Sequence, residues 1–294
     1  MAATTLRGMA VVTLTFADRL AAEVERKRSQ IVVGLDPRPD LLPVELRGDV
    51  ARFCCGIVDS VAPHAVAVKP QLAFFEALGT VGFAAFEKVC AHARRAGLLV
   101  IADGKRGDIG STARAYATAY VDGDLPRVDA LTVNPWLGRE SVEPYLAAAR
   151  RHGTGIFAVV KTSNAGADVQ DVTLSDGRPM WHHVAGLVSE WGEDLVGEHG
   201  LSAVGAVVGA THPRAVGEAR KLMPRTVLLL PGVGAQGGSV RDLERAWRSG
   251  PASALVTASR SIIFAFRDSE TDFRTAAGAE AARLKREVWA VSGW

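Results

Sequence analysis

Leu98-Leu99-Val100-Ile101-Ala102-Asp103-Gly104-Lys105-Arg106-Gly107-Asp108-Ile109-Gly110-Ser111-Thr112 passes from an unbroken apolar run to an acid, a base and a second acid, and an Ala-rich pattern then continues to Tyr120. This reads as a buried strand, a polar strand end and a helix start. Side chains two apart on a strand share a face, which sets Asp103 beside Lys105. Asp108 lies past Gly107, where the backbone can leave the strand direction and carry its carboxylate elsewhere. Two readings fit: a solvated ion pair at a strand end, or one ammonium between two carboxylates.

The unit recurs in kind on both sides. Apolar runs ending in a polar residue or a turn occupy 31–37, 65–70, 130–135, 155–163, 204–210, 226–234 and 254–260. Helical patterns fall at 16–29, 71–95, 141–151, 184–199, 213–223 and 240–249. Continuously apolar strands alternating with helices predict a parallel sheet covered by helices. Eight such units favour a closed (β/α)8 TIM barrel over an open doubly wound sheet, and no Gly-x-Gly-x-x-Gly follows the first strand. Residues 1–15 are expected to be a flexible tail and 16–294 one barrel domain. A longer insert at 164–183, with the turn signal Ser175-Asp176-Gly177-Arg178-Pro179, is either a lid over the strand ends or an inert surface loop.

Bulk properties narrow the class. Of the 294 residues, 48% are hydrophobic and 22% charged, which describes a globular chain with a large core. A net charge of +2 leaves no electrostatic footprint for nucleic acid or an anionic membrane. Cys54, Cys55 and Cys90 lack metal-site or disulfide spacing, and no apolar run reaches membrane-spanning length. A cytoplasmic protein with reduced thiols is expected. His182-His183 lacks a third ligand at recognisable spacing, so no metal site is assigned.

In a barrel, polar residues at the strand C-termini face one mouth. Here they are Asp36, Lys69, Asp103 with Lys105, Asn134, Thr162 with Ser163, Gln236 and Arg260. Two lysines among three acids, counting Asp108, can form an alternating network that keeps both lysines protonated. The glycine-rich loop from Pro231 to Ser239, together with Arg260 after the eighth strand, suits a phosphate monoester. Glycine-rich turns are common without any ligand, so Arg260 and the position in the barrel carry that assignment.

Asp103-x-Lys105-x-x-Asp108-Ile109 with Thr112, preceded by Val68-Lys69-Pro70-Gln71-Leu72-Ala73-Phe74-Phe75-Glu76 and followed by Arg260, resembles the orotidine 5′-monophosphate decarboxylase family. The longer wording of both motifs is similar to its bacterial, mycobacterial-type branch. The resemblance implies cofactor-free conversion of orotidine 5′-monophosphate to uridine 5′-monophosphate. It implies that Lys105 protonates C6, that Asp103 faces the substrate carboxylate and that Lys69 completes the charge network. It further implies that Asp36 binds the ribose hydroxyls, Ser163 reads the pyrimidine amide edge, and Gln236 and Arg260 hold the phosphate. Asp108 and Thr112 resemble the pair that reaches into the neighbouring subunit's site, which implies a homodimer. Asn134 receives no role.

Rival chemistries make different demands. A magnesium-dependent sugar-phosphate decarboxylase sharing the Asp-x-Lys-x-x-Asp core needs a carboxylate near the end of the second strand, where this chain has Lys69. A Schiff-base aldolase needs a lysine of depressed pKa, whereas Lys105 is flanked by acids. A phosphate-binding scaffold has no use for the complete charged set.

Overall fold

Eight parallel strands pair in chain order and close on themselves in the computed structural model, which describes residues 14–123, 127–234 and 237–294. They are β1 (Ile31–Leu35), β2 (Ala67–Pro70), β3 (Leu99–Arg106), β4 (Ala130–Val133), β5 (Gly155–Lys161), β6 (Ser202–Val208), β7 (Thr226–Pro231) and β8 (Ala254–Ala258). Closure is made by β8 returning to β1, with Val256 opposite Ile31 and Ala258 opposite Val33. The (β/α)8 barrel expected from the alternation is therefore the architecture. Strands β1, β2, β4, β6 and β8 are buried at every position. One face of each fills the barrel and the other lies under helices, so no position can be given to water.

The helices are α1 (Phe16–Lys27), α2 (Val50–Val61), α3 (Leu72–Glu76), α4 (Gly79–Arg95), α5 (Gly110–Tyr120), α6 (Arg139–His152), α7 (Met180–Trp191), α8 (Pro213–Leu222), α9 (Arg260–Ile263) and α10 (Phe273–Ser292). None of the described helices is long and apolar enough to cross a membrane. Helix α1 closes the N-terminal end of the barrel. Its start is capped by Thr15, whose hydroxyl accepts the Asp18 N–H at 3.1 Å. Phe16 meets Phe157 edge-on, while Lys27 Nζ donates to the carbonyls of Ala65 and Gly97, which precede β2 and β3. With that end plugged, the strand C-termini form the open mouth.

Several expected boundaries move. The single helix read over 71–95 is two, α3 and α4, because Gly79 adopts φ +63° between them. The break lets α4 fold back on α3 so tightly that a Cβ at Gly82 would lie 1.8 Å from the Phe75 carbonyl oxygen. The segment read as a helix over 240–249 is a 3-10 helix, Val240–Trp247. Helix α7 starts earlier than the 184–199 pattern and stops at Trp191, with a 3-10 turn, Glu193–Leu195, beyond it. Helix α10, which no pattern above identified, is capped by Asp272 and buries Ala277, Ala281, Leu284 and Val288. Of the expected tail, residues 1–13 lie outside the described residues, as does Gln236.

Candidate active site

Asp103, near the end of β3, receives four donors. Lys69 Nζ from β2 lies 2.5 Å from Oδ2 and Lys105 Nζ lies 2.6 Å from Oδ1. Gln71 Nε2 adds a bond to Oδ2 at 3.2 Å, and the Thr132 hydroxyl donates to Oδ1 at 3.0 Å. The Lys69 and Asp103 side chains are 8% and 9% exposed, whereas Lys105 is 47% exposed. Two of these three charges are thus fixed in the wall, and the third has room to meet a ligand.

Burial opposes the charge on Asp103, but Lys69 and Lys105 outweigh it and hold the carboxyl well below the usual carboxylate range. Burial likewise works against the Lys69 ammonium; Asp103 first, then Asp36, overcome it and hold Lys69 above the ordinary lysine range. Both groups therefore stay ionised at neutral pH. Such a pair is a poor source of net stability compared with an apolar replacement, so its presence points to chemistry rather than folding.

Asp103 and Lys105 do share a face, but not through a regular strand. Ala102 stands opposite Leu131 and Arg106 opposite Val133, so β3 spends four residue steps where β4 spends two. The surplus is absorbed at Lys105, which has φ +45°. A left-handed backbone at a side-chain-bearing residue costs roughly 1–2 kcal/mol. The strain is held from both sides. The Lys105 N–H donates to Thr132 Oγ1 at 2.9 Å, and the next residue, Arg106, pairs with Glu76 and lies over the rings of Tyr116 and Tyr120.

The mouth holds a cavity of about 310 Å³ whose lining includes Asp36, Lys69, Asp103, Lys105, Ser163, Gly232 and Arg260. Six of the nine residues singled out from sequence as chemical thus meet in one space. Asp36 lies just past β1, and its Oδ1 is buried without a hydrogen-bond partner, as is the hydroxyl of Ser259, which also lines the cavity. An unsatisfied carboxylate oxygen at the rim of a polar cavity is an acceptor waiting for a donor. Arg260 opens α9 and is exposed, and Gly232 and Val233 line the same cavity.

The remaining predicted residues stand apart. Asp108 is half-buried, its Oδ1 accepting the Ile109 N–H at 2.8 Å, and Thr112 is exposed on the first turn of α5. Neither lines the cavity of its own chain, and Lys105 is paired with Asp103 rather than held between two carboxylates of one chain. Asn134 is a cap: its Oδ1 accepts the Trp136 N–H at 3.1 Å at the start of the 3-10 helix Pro135–Leu137. Gln236 lies outside the described residues. Thr132 and Gln71, which pin Asp103, were missed in the sequence reading. The signal for Thr132 was one hydroxyl inside the apolar run Ala130-Leu131-Thr132-Val133.

The insert begins with a 3-10 helix, Ala165–Asp171, turns back where Thr173 pairs with Pro179, and runs into α7. Gln170 anchors it to the mouth: Oε1 accepts the Thr162 N–H at 2.9 Å and Nε2 donates to Thr162 Oγ1 at 2.9 Å. One residue away on each strand of this clasp, Lys161 Nζ lies 2.6 Å from Asp171 Oδ2. The insert thus holds in place the stretch that presents Thr162, Ser163 and Asn164 to the cavity. Val169, Gln170, Met180 and Trp181 border a second cavity of about 260 Å³ that also reaches Lys105.

Residues 29–273 match the family model described as "Orotidine 5'-phosphate decarboxylase / HUMPS family". The orotidine 5'-phosphate decarboxylase of Rhodopirellula baltica is 46% identical over 275 residues, covering 87% of this chain and 91% of that protein. The enzyme of the same name from Deinococcus radiodurans is 46% identical over 258 residues, covering 86% and 91%. Among solved structures, the OMP decarboxylase of Leishmania donovani superposes with a TM-score of 0.77 at 29% identity, over 96% of this chain and all of that one.

Proposed function

Because the chain belongs to the orotidine 5′-phosphate decarboxylase family, and so converts orotidine 5′-monophosphate to uridine 5′-monophosphate with release of carbon dioxide, we propose that Lys105, Asp103 and Lys69 carry the chemistry. The observation that supports this most directly is the Asp103 carboxylate gripped by two ammonium groups, one buried and one facing the cavity.

Loss of carbon dioxide from C6 leaves an electron pair in the plane of the pyrimidine ring, where the π system cannot disperse it. The protein must stabilise that charge electrostatically and then protonate it. Lys105 is the group for both tasks: its ammonium faces the cavity, and Asp103 fixes its direction. Asp103 then sits against the substrate carboxylate, and the repulsion is relieved as carbon dioxide departs, though preorganised stabilisation of the carbanion supplies the larger share. Lys69 keeps Asp103 ionised and immobile. No step needs a cofactor.

The rest of the ligand has matching partners. Asp36 accepts from the ribose hydroxyls, Ser163 reads the amide edge of the pyrimidine, and Arg260 with Gln236 and the Gly232 loop holds the phosphate. Asp108 and Thr112, placed outside their own cavity, complete the site of a second copy in a homodimer. The insert at 164–183 acts as the lid. Enzymes lower barriers by roughly 8–23 kcal/mol, and this reaction needs the upper part of that range. Phosphate contacts remote from C6 contribute by closing the site and aligning the charges.

The test is a spectroscopic assay of orotidine 5′-monophosphate consumption, with and without a strong chelator, on the native chain and Lys105→Ala. Chelator-resistant turnover that collapses in the variant is expected. Turnover surviving in Lys105→Ala removes the proposed role, and turnover lost to the chelator points to metal-assisted chemistry.

A further inference from the structure

Thr132 is buried in β4, 1% exposed, and its hydroxyl touches both halves of the proposed proton-delivery unit. The hydroxyl accepts the Lys105 N–H at 2.9 Å and lies 3.0 Å from Asp103 Oδ1, the same oxygen that receives Lys105 Nζ at 2.6 Å. Its polarity is not a free choice. A backbone N–H can only donate and an ionised carboxylate can only accept, so the single hydroxyl proton points at Asp103 and a lone pair faces Lys105.

We propose that Thr132 is a positioning residue for the decarboxylation, one hydroxyl that holds the left-handed backbone of Lys105 and the carboxylate of Asp103 in a common frame. The inference rests on the reading of Lys105 as the proton donor and adds to it how the donor is aimed. Lys105 sits on a bulge where the regular ladder between β3 and β4 lapses, so its N–H has no backbone acceptor on β4 and takes a side-chain one instead. The ammonium is tethered to Asp103 at one end and its own backbone to Thr132 at the other, which leaves the flexible lysine stem little freedom to swing away. A valine of the same shape keeps the packing of β4 but leaves the Lys105 N–H unpaired and removes one donor from Asp103.

Three variants test this: Thr132→Val, Thr132→Ala and Thr132→Ser, each measured for kcat, KM and uridine 5′-monophosphate affinity, with Lys105→Ala as the control. For Thr132→Val, kcat should fall at least tenfold while product affinity changes less than threefold, and Thr132→Ser should return to within threefold of native kcat. Should Thr132→Val not fold, Thr132→Ala reads the same quantity. Native kcat in the hydroxyl-free variant, or equal losses in the serine and hydroxyl-free variants, overturns the inference. If Lys105→Ala is inactive while Thr132→Val is native, only the role of Thr132 fails; if Lys105→Ala is active, the reading beneath it fails.

Discussion

Lys69 Nζ lies 2.5 Å from Asp103 Oδ2, with both side chains less than one-tenth exposed. Removing one partner of such a buried pair strands the other and typically costs about 3–5 kcal/mol. Lys105 still neutralises Asp103 from the other oxygen, so Lys69→Met is expected at the lower end, about 3 kcal/mol, with turnover greatly reduced. Urea unfolding and the decarboxylation assay measure the two effects; an unchanged midpoint would mean that the pair contributes nothing to the fold.

The same pair sets a pH dependence. The folded Asp103 carboxyl is depressed below its unfolded value near 3.9, so its contribution to stability is present above about pH 4 and is lost as pH falls toward its folded value. The folded Lys69 is raised, so its contribution is present below its unfolded value of about 10.4 and is lost as pH rises through the folded value. The stability gap between the native chain and Lys69→Met should therefore be flat between about pH 5 and 9 and narrow beyond either end. Unfolding curves across that range check it, and a gap that widens in acid contradicts the assignment.

Arg260 lines the same cavity as Lys105. If its contact with phosphate serves to organise the site, Arg260→Ala should lower kcat at saturating substrate by at least about tenfold, equivalent to 1.4 kcal/mol, as well as raising KM. Steady-state kinetics separate the two, and an unchanged kcat would confine Arg260 to binding.

Asp108 and Lys105 should belong to different sites of the proposed dimer. Lys105→Ala and Asp108→Asn chains, each nearly inactive alone, should recover activity when co-expressed, because each mixed dimer contains one native site. With random pairing about a quarter of all sites are native, given two-fold symmetry. Activity no higher than the sum of the separate variants would place Asp108 in its own chain's site.

Gln170 makes two hydrogen bonds to Thr162, beside Ser163. Each such bond contributes about 0.5–1.5 kcal/mol, so Gln170→Ala should raise KM several-fold with a small change in thermal midpoint. A native KM would show that the insert does not hold Ser163 in place.

The barrel and most of the candidate site are legible in the sequence. Continuous apolar runs alternating with helices specify a parallel sheet covered on both sides, and an apolar run that stops at a charge marks a strand end. Asp36, Lys69, Asp103 and Lys105 could be listed on that basis because three neighbouring strands, β1, β2 and β3, carry them to one mouth. The helix break at Gly79 was not legible, since an apolar stripe runs through it and only the fold-back of α4 onto α3 demands the turn.

What tertiary structure alone decided is how the charges are held. Thr132 is an ordinary β-forming residue in a β-strand, and its single hydroxyl inside an apolar run marks it as unusual without saying what that hydroxyl binds. Its role appears when β3 bulges at Lys105 and an N–H of one strand needs an acceptor from the next. Local sequence carries hydrophobic period and the positions of charge, because both act through neighbours in the chain. Which oxygen of Asp103 each lysine takes, and which hydroxyl steadies them, depends on the register between strands brought together only by closure of the barrel.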